Sequence, residues 1–326
     1  MARRIPKNVA GWHSMSDKIR WSAPAHFLIS VFLWIWHVIE SFGRSFYRTV
    51  FPYCMQPKKV IAGKTVLVTG AGGGIGRELC VQLAAEGCRL VLWDLNIMQN
   101  DQTAQLCQKL GAKVYCQNLD ITQRNMVYKA CEELYEHFGD VDIVVNNAGL
   151  LNPVPFLMCD DERMSAVIDV NTKALFWTTK AFLPRMLERD RGHIVTVGSV
   201  ASIIGAAPLV DYAASKFGAF GFMEALGNQL MEQGHTSIDF TTICPYYVRT
   251  PMINDLTCVH TANLIYDTRV TLLNPEYVAK RVIQAIKMRQ RVVIVPTFMA
   301  FLFFIRGIVP RNLFQSIVLN RRCKFA

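Results

Sequence analysis

The sequence lacks the patterns that mark a structural metal site or a redox-active dithiol. Its ten cysteines form no Cys-x-x-Cys pair, and its seven histidines supply no His-Glu-x-x-His motif. Charged residues make up only 18% of the chain while 52% is hydrophobic, which excludes a disordered protein. Internal repeats and low-complexity tracts are also missing. We therefore predict a globular fold with no metal ion, in which the cysteines are small buried residues in a reducing compartment.

Acidic residues are almost missing from the two ends of the chain. Residues 1–64 contain ten basic and two acidic side chains, and residues 291–326 contain six basic side chains and no acidic one. These basic ends flank the most apolar stretches instead of forming a patch within the central region. They therefore favour attraction to anionic lipid headgroups, and we predict no binding of nucleic acid.

The N-terminal apolar run is short for a membrane span. Residues 23–39 include 17 residues without a formal charge, and as a helix they cover about 25 Å of a hydrocarbon core of roughly 30 Å. Trp21, Trp34 and Trp36 suit the headgroup boundary. A cleaved signal peptide fits poorly, because the residues after the run are bulky and basic. We predict that residues 1–51 anchor the protein to a membrane.

A second apolar run, residues 298–305, is too short to cross a bilayer. It allows two interpretations, a helix buried in the protein or a segment that lies in the membrane interface. Because both ends of the chain carry such a run, we predict that residues 297–326 form an apolar and basic membrane-associated segment. The alternative is that both runs pack on the protein's own core.

Short β-branched segments alternate with helical segments between residues 64 and 296. This alternation predicts an α/β fold, a Rossmann-like doubly wound parallel sheet of about seven strands with helices on both faces. Residues 52–63 are the predicted linker, and residues 252–274 are a predicted loop or lid. The predicted strands are residues 65–69, 89–94, 113–119, 142–146, 193–197, 238–243 and 291–295, and the predicted helices include residues 75–86, 124–138, 163–188, 212–233 and 275–288.

A glycine-rich turn follows the first predicted strand and opens a helix. Glycines let backbone N–H groups approach a pyrophosphate, and the N-terminus of the helix supplies partial positive charge. Because the turn lies between a strand and a helix, it indicates a dinucleotide site far more strongly than a glycine motif alone. The predicted contacts are Gly70, Gly72, Gly73, Gly74, Ile75 and Gly76.

Acidic residues end the next two predicted strands. Asp94 stands where a carboxylate accepts hydrogen bonds from the adenosine ribose and repels a 2′-phosphate, and no arginine follows it directly. We therefore predict NAD as the cofactor in preference to NADP. Asp120 has two possible roles, a contact to the adenine or a cap for the segment Ile121-Thr122.

Tyr212 and Lys216 are four residues apart and share one face of a predicted helix. A phenol has a pKa of roughly 10, and we expect the neighbouring ammonium to lower it by ~1–3 units. The pair can then exchange a proton with an alcohol or carbonyl. Ser199 ends the fifth predicted strand, where its hydroxyl can hold the reacting oxygen. Combined with the glycine turn, these residues predict a catalytic site.

These motifs resemble those of the short-chain dehydrogenase/reductase family over about residues 64–296. The resemblance implies a catalytic tetrad in which Tyr212 is the acid/base, Ser199 polarises the substrate oxygen and Asn171 holds a water in a proton relay. It also implies that Lys216 binds the nicotinamide ribose and lowers the pKa of Tyr212. The cofactor contacts that it adds are Asn147, Ala148, Gly149, Pro245 and Thr250. The matching motifs are residues 69–76 as TGxxxGxG, residues 146–149 as NNAG, Val170-Asn171, Ser199, and residues 212–216 as YxxxK.

One departure and one narrower likeness refine this interpretation. The chain has Pro245-Tyr246 where the family commonly has Pro-Gly, which affects the mouth of the substrate site. Trp93-Asp94 and residues 176–184 and 192–197 are similar to a membrane-bound subgroup on the endoplasmic reticulum or lipid droplets, which includes retinol and 17β-hydroxysteroid dehydrogenases. The likeness implies oxidation of a lipophilic alcohol, with all-trans-retinol as the first choice and a 17β-hydroxysteroid or another lipid alcohol as the alternative.

Two further expectations complete the prediction. A non-catalytic lipid-droplet or membrane scaffold is the alternative of another class, but the intact tetrad argues against it. Residues 150–158, 201–210 and 252–274 are predicted to build the substrate pocket, and the family resemblance suggests a homodimer formed through residues 163–188 and 212–233.

Overall fold

The computed structural model describes residues 23–50, 58–254, 272–300, 306, 308–310 and 313. The chain divides into two compact units, Met1–Pro57 and Lys58–Ala326. In the first unit, helix α1 (Ala23–Val50) begins with the predicted apolar run and continues beyond it. Its large apolar side chains between Phe27 and Ile39 are mostly exposed. No helix among the residues described is both long and apolar enough to cross a bilayer.

The second unit alternates strands and helices. The strands are β1 (Thr65–Thr69), β2 (Arg89–Asp94), β3 (Val114–Asn118), β4 (Ile143–Asn146), β5 (Gly192–Val197), β6 (Ile238–Pro245) and β7 (Val292–Val295). The helices are α2 (Gly74–Ala85), α3 (Ile97–Lys109), α4 (Arg124–His137), α5 (Asp161–Ile168), α6 (Ala174–Glu188), α7 (Val210–Glu232), α8 (Pro251–Asn254) and α9 (Pro275–Lys287). The predicted bounds of most elements therefore differ from the observed ones by one or two residues.

The seven strands form one parallel sheet in the order β3-β2-β1-β4-β5-β6-β7. This confirms the predicted doubly wound fold. The chain leaves β1 towards one edge of the sheet through β2 and β3, and returns to pair β4 with the other side of β1. A crevice therefore opens at the carboxyl ends of β1 and β4, where sheets of this kind bind their ligands.

Two apolar layers cover the faces of the sheet. Along β1, Val66 and Val68 face the layer that contains Leu79 of α2 and Val282 of α9. Leu67 points to the opposite layer, formed with residues of α4, α6 and α7. Successive strand residues point to opposite faces, so burial on both sides requires the continuous apolar strands that the sequence contains.

The structure corrects the single helix predicted for residues 163–188. The segment consists of α5, a π-helical turn (Asp169–Lys173) and α6. Asn171 lies in the π-helical turn with 1% of its surface exposed, and its side chain bonds the backbone of Leu150. The wider turn places this polar side chain in the interior, where it is hydrogen-bonded. Hydrophobic periodicity along the sequence does not predict such a turn.

The end of the predicted linker is folded against the sheet domain. Residues 58–63, predicted as the end of a linker, are part of the second unit. Ile61 is 1% exposed, and the Gly63 N–H donates to the Gly87 carbonyl at 2.8 Å. Residues 255–271 of the predicted lid, and residues 301–305 of the second apolar run, lie outside the described residues.

Candidate active site

The glycine turn connects β1 to α2 at the crevice. A Cβ added to Gly70, whose φ is +65°, would lie 2.8 Å from the Cα of Ala148. At Gly76, an added Cβ would clash with the Gly70 carbonyl oxygen and lie 2.7 Å from Asn147 Nδ2. Glycine at these two positions lets the turn, the first turn of α2 and the end of β4 lie in direct contact.

Thr69 and Asn147 hold the turn against β4. The Thr69 hydroxyl accepts the backbone N–H groups of Asn147 at 3.0 Å and Ala148 at 3.1 Å. Asn147 Nδ2 donates to the carbonyls of Thr69 and Gly70, both at 3.0 Å. The predicted cofactor residue Asn147 therefore directs its amide to the glycine turn. Thr69 begins the predicted glycine motif, and its supporting role in the site was not predicted.

Asp94 ends β2 beside the glycine turn. One carboxylate oxygen accepts the Gly72 N–H at 2.7 Å and the other accepts the Asn96 N–H at 2.8 Å. A carboxylate has about four acceptor positions, so capacity remains for the hydroxyls of a ribose. Asp120 accepts both the N–H and the hydroxyl of Thr122, at 2.9 and 2.7 Å, but α4 begins after Gln123, so this contact closes a loop turn and is not the predicted helix cap. Asp120 also lines the cleft, and its contact to the adenine stays a prediction.

The crevice is a cleft of about 820 Å³. The residues on its wall fit a dinucleotide, because a glycine edge on which side chains would clash stands beside a carboxylate at the end of β2. Three predicted site residues, Gly72, Gly76 and Asn171, do not line the cleft. They lie behind its lining and support it. The predicted residues on the wall are Gly70, Gly73, Gly74, Ile75, Asp94, Asp120, Asn147, Ala148, Gly149, Ser199, Tyr212, Lys216, Pro245 and Thr250.

Tyr212 lies in the first turn of α7 and is half-buried at the cleft. Burial raises the pKa of Tyr212 to about 12, and a hydrogen bond with the Ser199 side chain acts in the opposite direction. Ser199 stands just after β5 and begins a short 3-10 helix (Val200–Ser202), where its hydroxyl accepts the Ala201 N–H at 3.1 Å. The fold thus brings the predicted base and the predicted oxygen-polarising hydroxyl together.

Lys216 lies one turn later on α7 and is only 5% exposed. Its Nζ donates to the Val197 carbonyl at 3.0 Å and lies 5.6 Å from the centroid of the Tyr212 ring. Burial lowers the pKa of Lys216 to about 8. The predicted net lowering of the Tyr212 pKa is therefore not what the protein alone shows, because desolvation of the phenol outweighs the other influences on it. The effect of Lys216 itself on that pKa stays a prediction.

Asn171 braces α7 from behind, and we call α7 the catalytic helix because it carries the predicted base Tyr212. Its side-chain oxygen accepts the Leu150 N–H at 2.8 Å, and its amide donates to the Leu150 carbonyl at 2.9 Å and to the Ser215 hydroxyl at 3.0 Å. Ser215 in turn donates to the Tyr212 carbonyl at 2.7 Å. The predicted tetrad is thus joined by Ser215, a variable position of the YxxxK motif that sequence reasoning passed over.

The part of the cleft lining that does not belong to the glycine turn is mostly apolar. Tyr246 and Tyr247 belong to this part and contact each other edge to face, with ring centroids 4.8 Å apart. Tyr246 stands where the family commonly has a glycine after Pro245, so the departure in sequence does reach the cleft. Met299 was not predicted here. The other apolar residues of this part include Leu150, Leu151, Val200, Ala201, Ile204, Leu209, Met252 and Ile253.

The short chain dehydrogenase family profile matches residues 64–258 of the chain. The chain belongs to the short-chain dehydrogenase family. This dehydrogenase is 38% identical over 262 residues to epidermal retinol dehydrogenase 2 of Mus musculus, which covers 80% of this chain and 83% of the relative. It is 37% identical over 270 residues to estradiol 17-beta-dehydrogenase 11 of Mus musculus, with 83% and 88% covered. It is therefore an oxidoreductase.

Solved structures agree with this assignment of the fold. A short chain dehydrogenase/reductase from Burkholderia phymatum in complex with NAD matches with a TM-score of 0.71 at 23% identity, covering 81% of this dehydrogenase and 97% of that chain. A gluconate 5-dehydrogenase from Beutenbergia cavernae with bound NADP, described as putative, matches with a TM-score of 0.66 at 26% identity, covering 74% and 98%.

Proposed function

We propose that this dehydrogenase oxidises a lipophilic alcohol to its carbonyl with NAD, and that all-trans-retinol is its substrate. The observation that carries the proposal is the convergence of Tyr212, Ser199 and Lys216 on one cleft, which is also lined by the glycine turn and by many apolar side chains. An apolar wall with a few convergent polar groups suits an apolar ligand that reacts at a single hydroxyl.

Each of the three polar side chains has a separate role. Tyr212 removes the proton of the substrate hydroxyl, and the Ser199 hydroxyl holds the same oxygen, since the two side chains already share a hydrogen bond. Lys216, fixed to the Val197 carbonyl, stands beside the Tyr212 ring. When bound, the nicotinamide ring supplies the acceptor for the hydride of the alcohol carbon.

Asp94 supports NAD over NADP. Its carboxylate lies against the glycine turn, where it would repel a 2′-phosphate. The substrate class is supported by the retinol and steroid dehydrogenases among the relatives. A 17β-hydroxysteroid is the second candidate, since estradiol 17-beta-dehydrogenase 11 is nearly as similar as the retinol dehydrogenase.

Membranes from cells that express the full chain test this function. We expect NADH to form with all-trans-retinol, more slowly with estradiol, and at background level with ethanol, because a short alcohol cannot bury apolar surface in the cleft. Control membranes carry the Tyr212→Phe variant. Faster turnover of estradiol would transfer the assignment to the steroid, and a preference for NADP would contradict the role of Asp94.

We also propose that α1 anchors the protein to the endoplasmic reticulum or to lipid droplets, with the catalytic unit facing the cytosol. The support is the row of exposed apolar side chains on α1, which includes Phe27, Phe32, Trp34 and Trp36. Such a surface costs free energy in water and is favoured at a lipid boundary. The homodimer stays a prediction from the family resemblance.

Deletion of residues 1–57 is expected to move most of the protein from the membrane pellet to the supernatant after fractionation. The deletion stops where the second unit begins, so the Lys59–Asp239 ion pair at 3.1 Å is kept. NAD binding by the supernatant protein verifies that the second unit is folded. Full retention in the pellet would assign the anchor to residues 297–326 instead.

A further inference from the structure

A buried carboxylate lies directly beside the proposed base. Asp211 is 7% exposed, and one of its oxygens accepts the Tyr212 N–H at 2.7 Å. Its other oxygen accepts Asn152 Nδ2 at 2.8 Å, and Asn152 is itself only 5% exposed. Burying a carboxylate costs free energy unless hydrogen bonds satisfy it, so breaking the Asp211–Asn152 hydrogen bond would destabilise the folded protein.

Asn152 belongs to the loop that leaves β4, residues 147–160, which we call the substrate loop. Leu150 and Leu151 of this loop line the cleft. Asn152 Nδ2 also reaches Cys159 Sγ at 3.5 Å, and that thiol donates to the Val154 carbonyl at 3.3 Å. The contact with Asp211 therefore joins both ends of the loop tip to the start of the catalytic helix.

The tip of the substrate loop gains little from its own packing. It is a 3-10 turn (Phe156–Met158) whose three apolar side chains are all exposed, Leu157 to 96%. A segment with few buried apolar contacts opens at low free-energy cost unless polar contacts hold it. The buried Asn152–Asp211 pair is such a contact, and its two residues adjoin Leu151 and Tyr212, which line the cleft.

We propose that Asp211 and Asn152 are a positioning pair that fastens the substrate loop to the catalytic helix and thereby sets the affinity for the alcohol. The substrate class in this inference rests on the proposed function. Asp211 accepts hydrogen bonds from the loop and from the Tyr212 backbone at once, which a neutral side chain with one acceptor cannot do. Neither residue touches the reacting atoms.

An exchange of the two residues tests the pair. Asn152→Asp brings two carboxylates together, and Asp211→Asn removes one of the two acceptors. Each single variant is expected to raise the KM for the alcohol by roughly ten-fold or more, while the KM for NAD stays within about two-fold. For Asn152→Asp, kcat should change far less than KM. The double variant Asn152→Asp/Asp211→Asn restores donor and acceptor in reversed positions and should recover most of the loss.

Amide hydrogen exchange gives a readout that does not depend on turnover. Faster exchange is expected in the substrate loop of both single variants and slower exchange again in the double variant, with β1 protected throughout as the control for folding. Asp211→Asn is the milder variant if Asn152→Asp fails to fold. Unchanged loop exchange in the single variants, or no recovery in a folded double variant, would overturn the proposal. If the wild type oxidises no lipophilic alcohol, the proposed function fails, while recovered loop protection would still support the pair.

Discussion

Replacing Tyr212 by phenylalanine is expected to lower the rate of NADH formation by roughly 10²–10⁴-fold, the usual contribution of a positioned acid/base. The substitution removes the phenol oxygen that shares a hydrogen bond with the Ser199 side chain and leaves the ring in place. The glycine turn is untouched, so NAD should still bind. Steady-state kinetics and calorimetric titration with NAD measure the two effects separately.

Tyr247→Phe is the matched control, because it removes a second phenol from the same cleft. The Tyr247 phenol is buried, and its pKa is raised to about 12. The Tyr247 phenol contributes only a minor part of the rise in the Tyr212 pKa. Because Tyr247→Phe leaves Tyr212 and its hydrogen bond with Ser199 in place, the rate should stay within a few-fold of the wild type. Wild-type turnover by Tyr212→Phe, or an equal loss in the two variants, would refute Tyr212 as the base.

The direction of the pKa shift gives this prediction a pH dependence. Oxidation of an alcohol requires the deprotonated phenol, and burial raises the pKa of Tyr212 to about 12, so little phenolate is present at neutral pH. The oxidation rate should therefore rise as the pH is raised from neutral towards that value. The reverse reduction uses the protonated phenol and should not show this rise. A pH–rate profile in both directions distinguishes the two cases.

Replacing Gly76 by alanine is expected to weaken NAD binding by roughly 10–100-fold, which corresponds to the cost of inserting a methyl group into a packed site. The new Cβ would clash with the Gly70 carbonyl oxygen and lie 2.7 Å from Asn147 Nδ2. Either the glycine turn moves away from α2 or the Asn147 amide leaves the turn. Calorimetric titration with NAD measures the loss, and thermal unfolding shows whether the fold is kept.

Gly73→Ala is the comparison within the same turn. Its new Cβ would have Gln99 Oε1 as the nearest atom, at 3.4 Å, and this atom is the end of a flexible side chain. We expect a clearly smaller loss of NAD affinity than at Gly76. Equal losses in the two variants would show that the turn tolerates no side chain anywhere, and that the packing of Gly76 on Gly70 and Asn147 is not what shapes the site.

The proposed catalytic residues illustrate how far sequence reasoning reaches. Tyr212 and Ser199 were predicted because one opens a helix and the other ends a strand, and the parallel sheet does bring these positions to one cleft. The net shift of the Tyr212 pKa was predicted with the wrong sign, since spacing along a helix gives the distance to Lys216 but not the loss of water around the phenol. Ser215 was missed because a variable position inside a motif gives no signal of its own.

The sequence by itself determined the parallel α/β fold, the glycine turn and the order of the proposed catalytic residues, because hydrophobic periodicity and short motifs depend on neighbours along the chain. Only the tertiary structure decided which distant groups meet. Thr69 holds Asn147, and Asn152 binds Asp211, across gaps of 78 and 59 residues. The π-helical turn at Asn171 and the buried state of Lys216 were decided in the same way. Hydrogen bonds and desolvation depend on proximity in space, which the folded sheet creates and no local pattern records.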